Sequence, residues 1–110
     1  MSFVRISLMI PKAGGEARVH ELLLELTAFH QQQDGFLGGY TLTARSDDGE
    51  TGRITVWADE EYANKVAVTD QDLSLRSELN LVTEPGSHRE SSFEGVASLP
   101  AAAVDRGIDR

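Results

Sequence analysis

Apolar and polar residues alternate along residues 3–10, FVRISLMI, which is the pattern of a β-strand. From Glu16 to His30 the apolar residues instead recur at helical spacing, with acidic and basic residues on the other side. Two further strand-like segments, 36–45 and 53–59, flank a polar stretch that contains glycine. The first half of the chain therefore predicts a strand, a helix and a β-hairpin.

The second half predicts a bent helix and a last strand. Asp59 is a typical N-cap residue, and Thr69 and Asp70 are expected to break the helix before a new apolar stripe begins. Residues 88–98 are polar enough for a strand at the edge of a sheet. Residues 99–110 have little pattern and are expected to form a flexible C-terminal tail.

The element order β-α-β-β-α-β predicts a ferredoxin-like α+β domain over residues 1–98, with a four-stranded antiparallel sheet and two helices on one face. The first strand has apolar side chains on both faces: Val4, Ile6 and Leu8 on one, and Phe3 and Met9 on the other. Two helices cover only one face of such a sheet. We therefore expect a homodimer formed through the open sheet face.

Composition narrows the function classes. The 110 residues carry a formal net charge of −8 with scattered basic residues, which argues against nucleic acid as a partner. The absence of cysteine excludes disulfides and thiolate chemistry and is consistent with a cytoplasmic protein. The N-terminal apolar stretch is interrupted by Arg5 and Ser7 and predicts no signal peptide, and no segment is long enough to span a membrane.

Two adjacent glycines, Gly38 and Gly39, lie inside the second predicted strand. We expect this strand to cross the middle of the sheet, where glycine would thin it on both faces. Room would then be left for Tyr40, Leu42 or a bound ligand. A plain β-bulge that helps the sheet to coil is the alternative interpretation.

Three stretches resemble the antibiotic biosynthesis monooxygenase-like family of dimeric α/β barrels. DGFLGGYTL (34–42) is similar to the family's junction of the first helix and second strand. ITVWADEEYANK (54–65) is similar to its third strand, in which a tryptophan is followed by acidic residues and an aromatic residue. The bent second helix and polar last strand are the third match, so the resemblance covers residues 3–97.

The resemblance implies a homodimer that oxidises a small aromatic or quinol-type compound with molecular oxygen, without metal or flavin. The haem-degrading branch of the family holds iron with a histidine on the second helix, whereas DLSLRSEL (72–79) contains none, so that branch is not expected here. Two other classes remain open: a non-catalytic ligand-binding or sensing barrel, and a structural dimer with a filled core.

His30 and Trp57 are the candidate catalytic residues. His30 lies on the apolar face of the first helix, where it could act as a general base or be a buried structural histidine. Trp57 is the lone tryptophan, and it could line a pocket and donate from its indole N–H or simply anchor the core. The candidate substrate-binding residues are Tyr40, Tyr62, Asn64 and Arg76.

Other charged residues have more than one interpretation. The strand arginines Arg5, Arg45 and Arg53 could bind a substrate carboxylate, although solvent-exposed salt bridges are their usual role. Glu90 and Glu94 share one face of the last strand and could be catalytic acids or charges that protect an edge. The three histidines have no short mutual spacing, and no metal site is expected.

Overall fold

The sheet is antiparallel, and its strands lie in the order β2-β3-β1-β4. A computed structural model describes residues 1–45, 49–98 and 100. Its elements are β1 Ser2–Met9, α1 Glu16–His30, β2 Phe36–Leu42, β3 Thr51–Trp57, α2 Glu60–Ala67, α3 Asp70–Val82 and β4 Arg89–Gly95. The expected ferredoxin-like order is confirmed, with the second helix divided into α2 and α3. The residues of the expected tail, apart from Pro100, lie outside the described residues.

The strand order places β4 at one edge, as expected, and β2 at the other. The expectation that the second strand crosses the middle of the sheet is therefore wrong. A hairpin pairs β2 with β3 alone, because β1 occupies the other side of β3 and itself pairs with β4.

The helices cover one face of the sheet and bury two apolar clusters against it. In the larger cluster, Met9 packs against the leucine stripe of α1 and against α3: Val19, Leu22, Leu23, Leu26, Leu75 and Leu79. In the smaller cluster, Phe3 and Trp57 pack against Ala63 and Val66 of α2.

Capping side chains set the break between α2 and α3. Asp59 accepts a hydrogen bond from the backbone N–H of Tyr62, and Thr69 accepts one from that of Asp72. The predicted N-cap and the predicted break are both confirmed. α1 ends at His30, as its apolar spacing indicated, and Gly35 with φ of +82° turns the chain into β2.

The two strand glycines form a β-bulge. The register of β2 against β3 shifts between Phe36 and Gly38. A Cβ atom on Gly39 would lie 2.1 Å from the carbonyl oxygen of Ile54, so the close approach of β3 requires glycine there. Thus the bulge interpretation holds.

The sheet face opposite the helices carries a continuous set of apolar side chains. The pairings Val4–Val56, Val4–Phe93, Ile6–Ile54 and Tyr40–Ile54 place these residues side by side on it. Tyr40 is 71% exposed and Phe93 is 52% exposed. No helix in the part of the chain that the structure describes is long and apolar enough to cross a membrane.

Candidate functional site

A polar cavity lies between the sheet and the ends of the helices. Its volume is about 40 Å³, and it is lined by residues of both central strands, all three helices and β4. A second cavity of about 160 Å³ lies between β1, β4 and α3. Arg53, Arg76 and Glu90 line both cavities, so the two form one groove along the helix-facing side of the sheet.

Four side chains form a hydrogen-bonded chain along the wall of this groove. Nη1 of Arg53 lies 2.8 Å from Nδ1 of His30, and Nε2 of His30 lies 2.5 Å from Oδ2 of Asp72. Arg76 donates from Nε to Oδ1 of Asp72 over 2.6 Å and from Nη2 to the carbonyl oxygen of Ala67 over 2.5 Å. The chain therefore runs from a strand arginine, through a histidine and an aspartate, to a helix arginine.

Each member is placed by an ordinary feature of its element. His30 is the last residue of α1 and continues that helix's buried face. Arg53 occupies a helix-facing position of β3, two residues from Thr55 and four from Trp57. Asp72 lies in the first turn of α3, where a carboxylate favours the helix dipole, and Arg76 is one turn further along the helix.

The donor set fixes the tautomer of His30. An arginine only donates, so Nδ1 of His30 must be the acceptor and Nε2 must carry the proton that is donated to Asp72. A protonated imidazole would instead direct an N–H at the Arg53 guanidinium. His30 is only 4% exposed, and burial, with the nearby Arg53 charge acting in the same direction, lowers its pKa although Asp72 opposes the shift. The imidazole is therefore neutral near neutral pH.

Asp72 carries the negative charge within this hydrogen-bonded set of four side chains. Burial opposes ionisation, but the hydrogen bonds from His30 and Arg76 outweigh it, so the pKa of Asp72 lies below its ordinary value. Burial likewise lowers the pKa of Arg53, against the attraction of Asp72 and Glu90. An arginine keeps its proton at any physiological pH, and two guanidinium cations thus flank one carboxylate.

Aromatic rings close the end of the groove. The indole of Trp57 meets the imidazole of His30 edge-on, with centroids 5.4 Å apart, and meets Phe36 in the same way at 5.1 Å. Trp57 is 2% exposed but lines the smaller cavity. The groove therefore has one aromatic wall and one cationic wall.

The sequence-predicted residues separate into two sets. His30, Trp57 and Arg76 come together at the groove, and Asn64 reaches its margin, where it accepts a hydrogen bond from Arg5 over 3.3 Å. Tyr40 lies on the opposite face of the sheet. Tyr62 packs over Gly35 at the start of α2, away from both cavities.

Sequence reasoning missed Asp72 as a member of the site and left Arg53 as one of three strand arginines with more than one interpretation. Arg53 was interpreted mainly as a surface residue, although it is only 8% exposed. A signal was present, because Arg53 and Trp57 are four residues apart in one strand and must share a face. Asp72 gave no such signal, since an aspartate in the first turn of a helix is common on surfaces.

Within the described residues, no three His, Asp or Glu side chains lie close enough together to hold a metal ion. The site also holds no cysteine, because the sequence has none. The groups that the groove offers to a ligand include guanidinium N–H groups, the Glu90 carboxylate and aromatic surface, and the polar side chains of Thr55, Asn80 and His88 also line it.

Comparison with known proteins gives the fold a family context. No protein-family model matches the sequence, and no curated protein is significantly similar to it. Several solved structures match closely in three dimensions. A variant of SnoaB, a cofactor-independent oxygenase from Streptomyces nogalater, matches with a TM-score of 0.78 and 19% identity over 90% of this chain and 97% of that protein.

Two further structures match over nearly their whole length. Rv0793 from Mycobacterium tuberculosis has a TM-score of 0.78 and 11% identity, covering 91% of this chain and 100% of its own. A protein described as an antibiotic biosynthesis monooxygenase has a TM-score of 0.75 and 20% identity, covering 88% and 100%. The chain therefore has the fold of antibiotic biosynthesis monooxygenase-like proteins, and the resemblance seen in its motifs is confirmed at that level.

Proposed function

We propose that this protein is a cofactor-independent monooxygenase that acts on an aromatic or quinol-type small molecule. The observation that carries the proposal is the hydrogen-bonded chain Arg53–His30–Asp72–Arg76 beside Trp57, in a groove between sheet and helices. The fold shared with a cofactor-independent oxygenase supports the same reaction class. The protein would need no metal or flavin, because the electron for oxygen would come from the substrate.

The groove has the groups that such a reaction needs. A hydroquinone, or a ketone with an acidic ring methylene, reacts with oxygen only after it loses a proton, and guanidinium groups stabilise the resulting anion. Arg53 and Arg76 would supply that charge, and Trp57 a surface for the ring. Glu90 lines both cavities and would accept the substrate's proton.

The overall reaction balances without a cofactor. For a substrate with a ring methylene, the deprotonated carbon passes one electron to oxygen, and the two radicals combine into a C–O bond. The peroxide takes back the proton that Glu90 accepted, and the hydroperoxide then loses water. The methylene becomes a carbonyl, one oxygen atom enters the product, and the other leaves as water. His30 takes no proton in this scheme, since both of its ring nitrogens are already engaged, and it serves as a positioning residue for Arg53.

We also propose that two copies pack through the open sheet faces. The apolar set around Ile54 and Phe93 is too large and continuous to be typical of a monomer's surface. A second copy would cover it and complete a barrel. No nucleic acid or membrane partner is proposed, and a cytoplasmic location remains our expectation.

A non-catalytic ligand-binding protein is the second candidate. The observation that favours it is the engagement of His30 on both ring nitrogens, which leaves the buried histidine beside Trp57 without a free nitrogen to act as a general base. Such a protein would bind the same aromatic ligand without consuming oxygen.

Oxygen uptake with a panel of hydroquinones and of one- and two-ring ketones with an acidic ring methylene tests the proposal. We expect uptake above the spontaneous rate that saturates with substrate and falls at least tenfold in Trp57→Phe. Leu24→Ala, an exposed position of α1, is the control and should keep the full rate. Uptake no faster than the blank across the panel, with the protein shown to be folded, would refute the oxygenase and favour the binding protein.

A further inference from the structure

Arg53 is a buried cation without a direct anionic partner. It is 8% exposed, and no carboxylate oxygen of the described residues lies within the 4.0 Å of a salt bridge from its guanidinium. Its hydrogen-bonded neighbour is Nδ1 of His30, a neutral atom. Buried charges in proteins are normally paired, because removing an ion from water is costly.

The nearest carboxylate is already engaged. Asp72 accepts from His30 through one oxygen and from Arg76 through the other, so its charge is directed away from Arg53. Glu90 bonds to Ser7 and lies 3.6 Å from Arg5. Arg53 is thus held at the groove by an imidazole, and neither carboxylate forms a hydrogen bond to it.

The remaining N–H groups of Arg53 open on the groove. No buried side-chain nitrogen among residues 1–45 and 49–98 lacks both a partner and accessible surface. Since Nη1 bonds to His30, the other guanidinium nitrogens reach the cavity surfaces that Arg53 lines. A guanidinium offers several N–H donors in a planar fork that matches the two oxygens of a carboxylate.

The neighbourhood of Arg53 favours a negatively charged ligand. Three arginines, Arg5, Arg53 and Arg76, line the smaller cavity against two carboxylates, Asp72 and Glu90. This is a local excess of positive charge in a protein whose formal net charge is −8. An anion would therefore be held by short-range contact in the groove, since the protein as a whole repels it.

The dimensions of the groove limit the size of that ligand. The larger cavity holds about 160 Å³, well below the volume of pockets that take drug-sized molecules. One or two fused rings fit this space. The indole of Trp57 at the other end supplies an aromatic wall.

We infer that Arg53 is the anchor of an oxyanion site, and that the ligand is a one- or two-ring aromatic compound with a carboxylate or phenolate oxygen bound by its guanidinium. The inference rests on the proposed function for the class of ligand and adds the ligand's charge, size and contact residue. His30 and Asp72 are positioning residues that hold Arg53 in place.

Calorimetric titration under nitrogen tests the site with three probes: para-nitrobenzoate, para-nitrophenol and the neutral isostere para-nitrobenzamide. We expect the carboxylate to bind about 10- to 100-fold more tightly than the amide. Para-nitrophenol should bind as its phenolate, and therefore more tightly above its own pKa than below it. Comparing its binding with that of para-nitrobenzoate shows whether the site prefers a phenolate or a carboxylate. The nitro group should also quench the fluorescence of Trp57, the lone tryptophan.

Arginine variants assign the binding to Arg53. In Arg53→Gln the preference for the anion should disappear, whereas Arg45→Gln, an exposed arginine beyond β2, should keep it. Arg53→Lys keeps the charge and should retain part of the preference, which guards against misfolding as the cause of the loss. Circular dichroism would confirm that each variant is folded.

Equal binding of the amide and the carboxylate, no binding of any probe, or an unchanged preference in Arg53→Gln would overturn the oxyanion site. Binding is measured without oxygen, so its outcome is separate from that of the oxygen-uptake experiment. Anion binding without oxygen uptake would refute the proposed oxygenase function but would still support the oxyanion site. Oxygen uptake at the same rate in Arg53→Gln and the wild type would support the oxygenase function but overturn the oxyanion site.

Discussion

The guanidinium of Arg53 donates to Nδ1 of His30 over 2.8 Å, and a permanent cation thereby holds a buried imidazole in its neutral form. Protonation of His30 would place two N–H groups against each other. The proton on Nε2 is directed at Asp72, which completes a set of donors and acceptors with one consistent arrangement.

We expect the protein to lose stability as the pH falls below about 6.5. The pKa of His30 is lowered in the folded state, chiefly by burial. The unfolded chain therefore binds a proton at this residue at a pH where the folded chain does not. The free energy of unfolding should therefore decline with a slope of up to about 1.4 kcal/mol per pH unit for this one group. Urea unfolding at a series of pH values measures the slope.

Histidine variants assign that slope. His30→Gln should flatten it, while His20→Gln, at an exposed position of the same helix, should leave it unchanged. A further loss is expected below about pH 3.8, because Asp72 has a lowered pKa and its stabilising charge disappears on protonation. An identical slope in His30→Gln and the wild type would contradict the assignment.

Replacing Asp72 should destabilise the fold. Asp72→Ala leaves the buried Nε2–H of His30 without an acceptor, at a cost of about 1–3 kcal/mol, and also removes the contact to the partly exposed Arg76. Asp70→Ala is the matched control, since Asp70 is exposed in the same first turn of α3. It should lose only the helix-dipole contribution, about 0.3–1 kcal/mol. Similar losses in the two variants, measured by urea unfolding, would argue against the buried chain.

Gly35 should be far less replaceable than Gly14, although both have nearly the same positive φ, +82° and +83°. A Cβ on Gly35 would lie 2.2 Å from the ring of Tyr62, whereas one on Gly14 meets nothing within 4 Å. Gly14→Ala should therefore cost only the backbone strain, about 1–2 kcal/mol. Gly35→Ala should cost clearly more.

Tyr62 provides the check on this comparison. In the double variant Gly35→Ala with Tyr62→Ala, the steric clash is removed, and a coupling of about 0.5–3 kcal/mol should appear in a double-mutant cycle of thermal or urea unfolding. Strictly additive losses would show that the ring of Tyr62 does not restrict Gly35.

Sedimentation should detect a dimer at twice the chain mass of 12.0 kDa. Ile54→Asp places a charge in the middle of the open sheet face, next to Ile6 and Tyr40, and should produce a monomer. Leu24→Asp changes an exposed leucine on α1 and should remain dimeric. A wild-type protein that sediments as a monomer at micromolar concentration would refute the proposed dimer.

The features that local sequence patterns predicted correctly are those that depend on interactions between residues close together in the chain. The capping side chains of Asp59 and Thr69 and the period of each element were enough to place the helices and their break. The burial of His30 also followed from its position on an apolar helix face. The hydrogen-bond partners of His30 could not be predicted in this way. Arg53 and Asp72 are 23 and 42 residues away in sequence, and only the tertiary fold brings them next to His30.

The bulge in β2 explains why Tyr40, which was expected in the pocket, lies on the other face of the sheet. In a regular strand Phe36 and Tyr40 would lie on the same face, since they are four residues apart. The register shift between Phe36 and Gly38 reverses the alternation, so Phe36 packs with Trp57 towards the helices and Tyr40 pairs with Ile54 on the other face. A sequence pattern with period two cannot reveal such a reversal.

The strand order has a consequence for how the chain folds. β1 is an interior strand, yet the strands on either side of it, β3 and β4, both follow it in the chain. While the chain is being synthesised, both edges of β1 are therefore unpaired and its apolar side chains are exposed until residues 51–57 can pair with it. Its other edge remains unpaired until residues 89–95 have been synthesised. Domain completion thus depends on β4, and shortening the chain within that strand would expose the centre of the sheet rather than trim its edge.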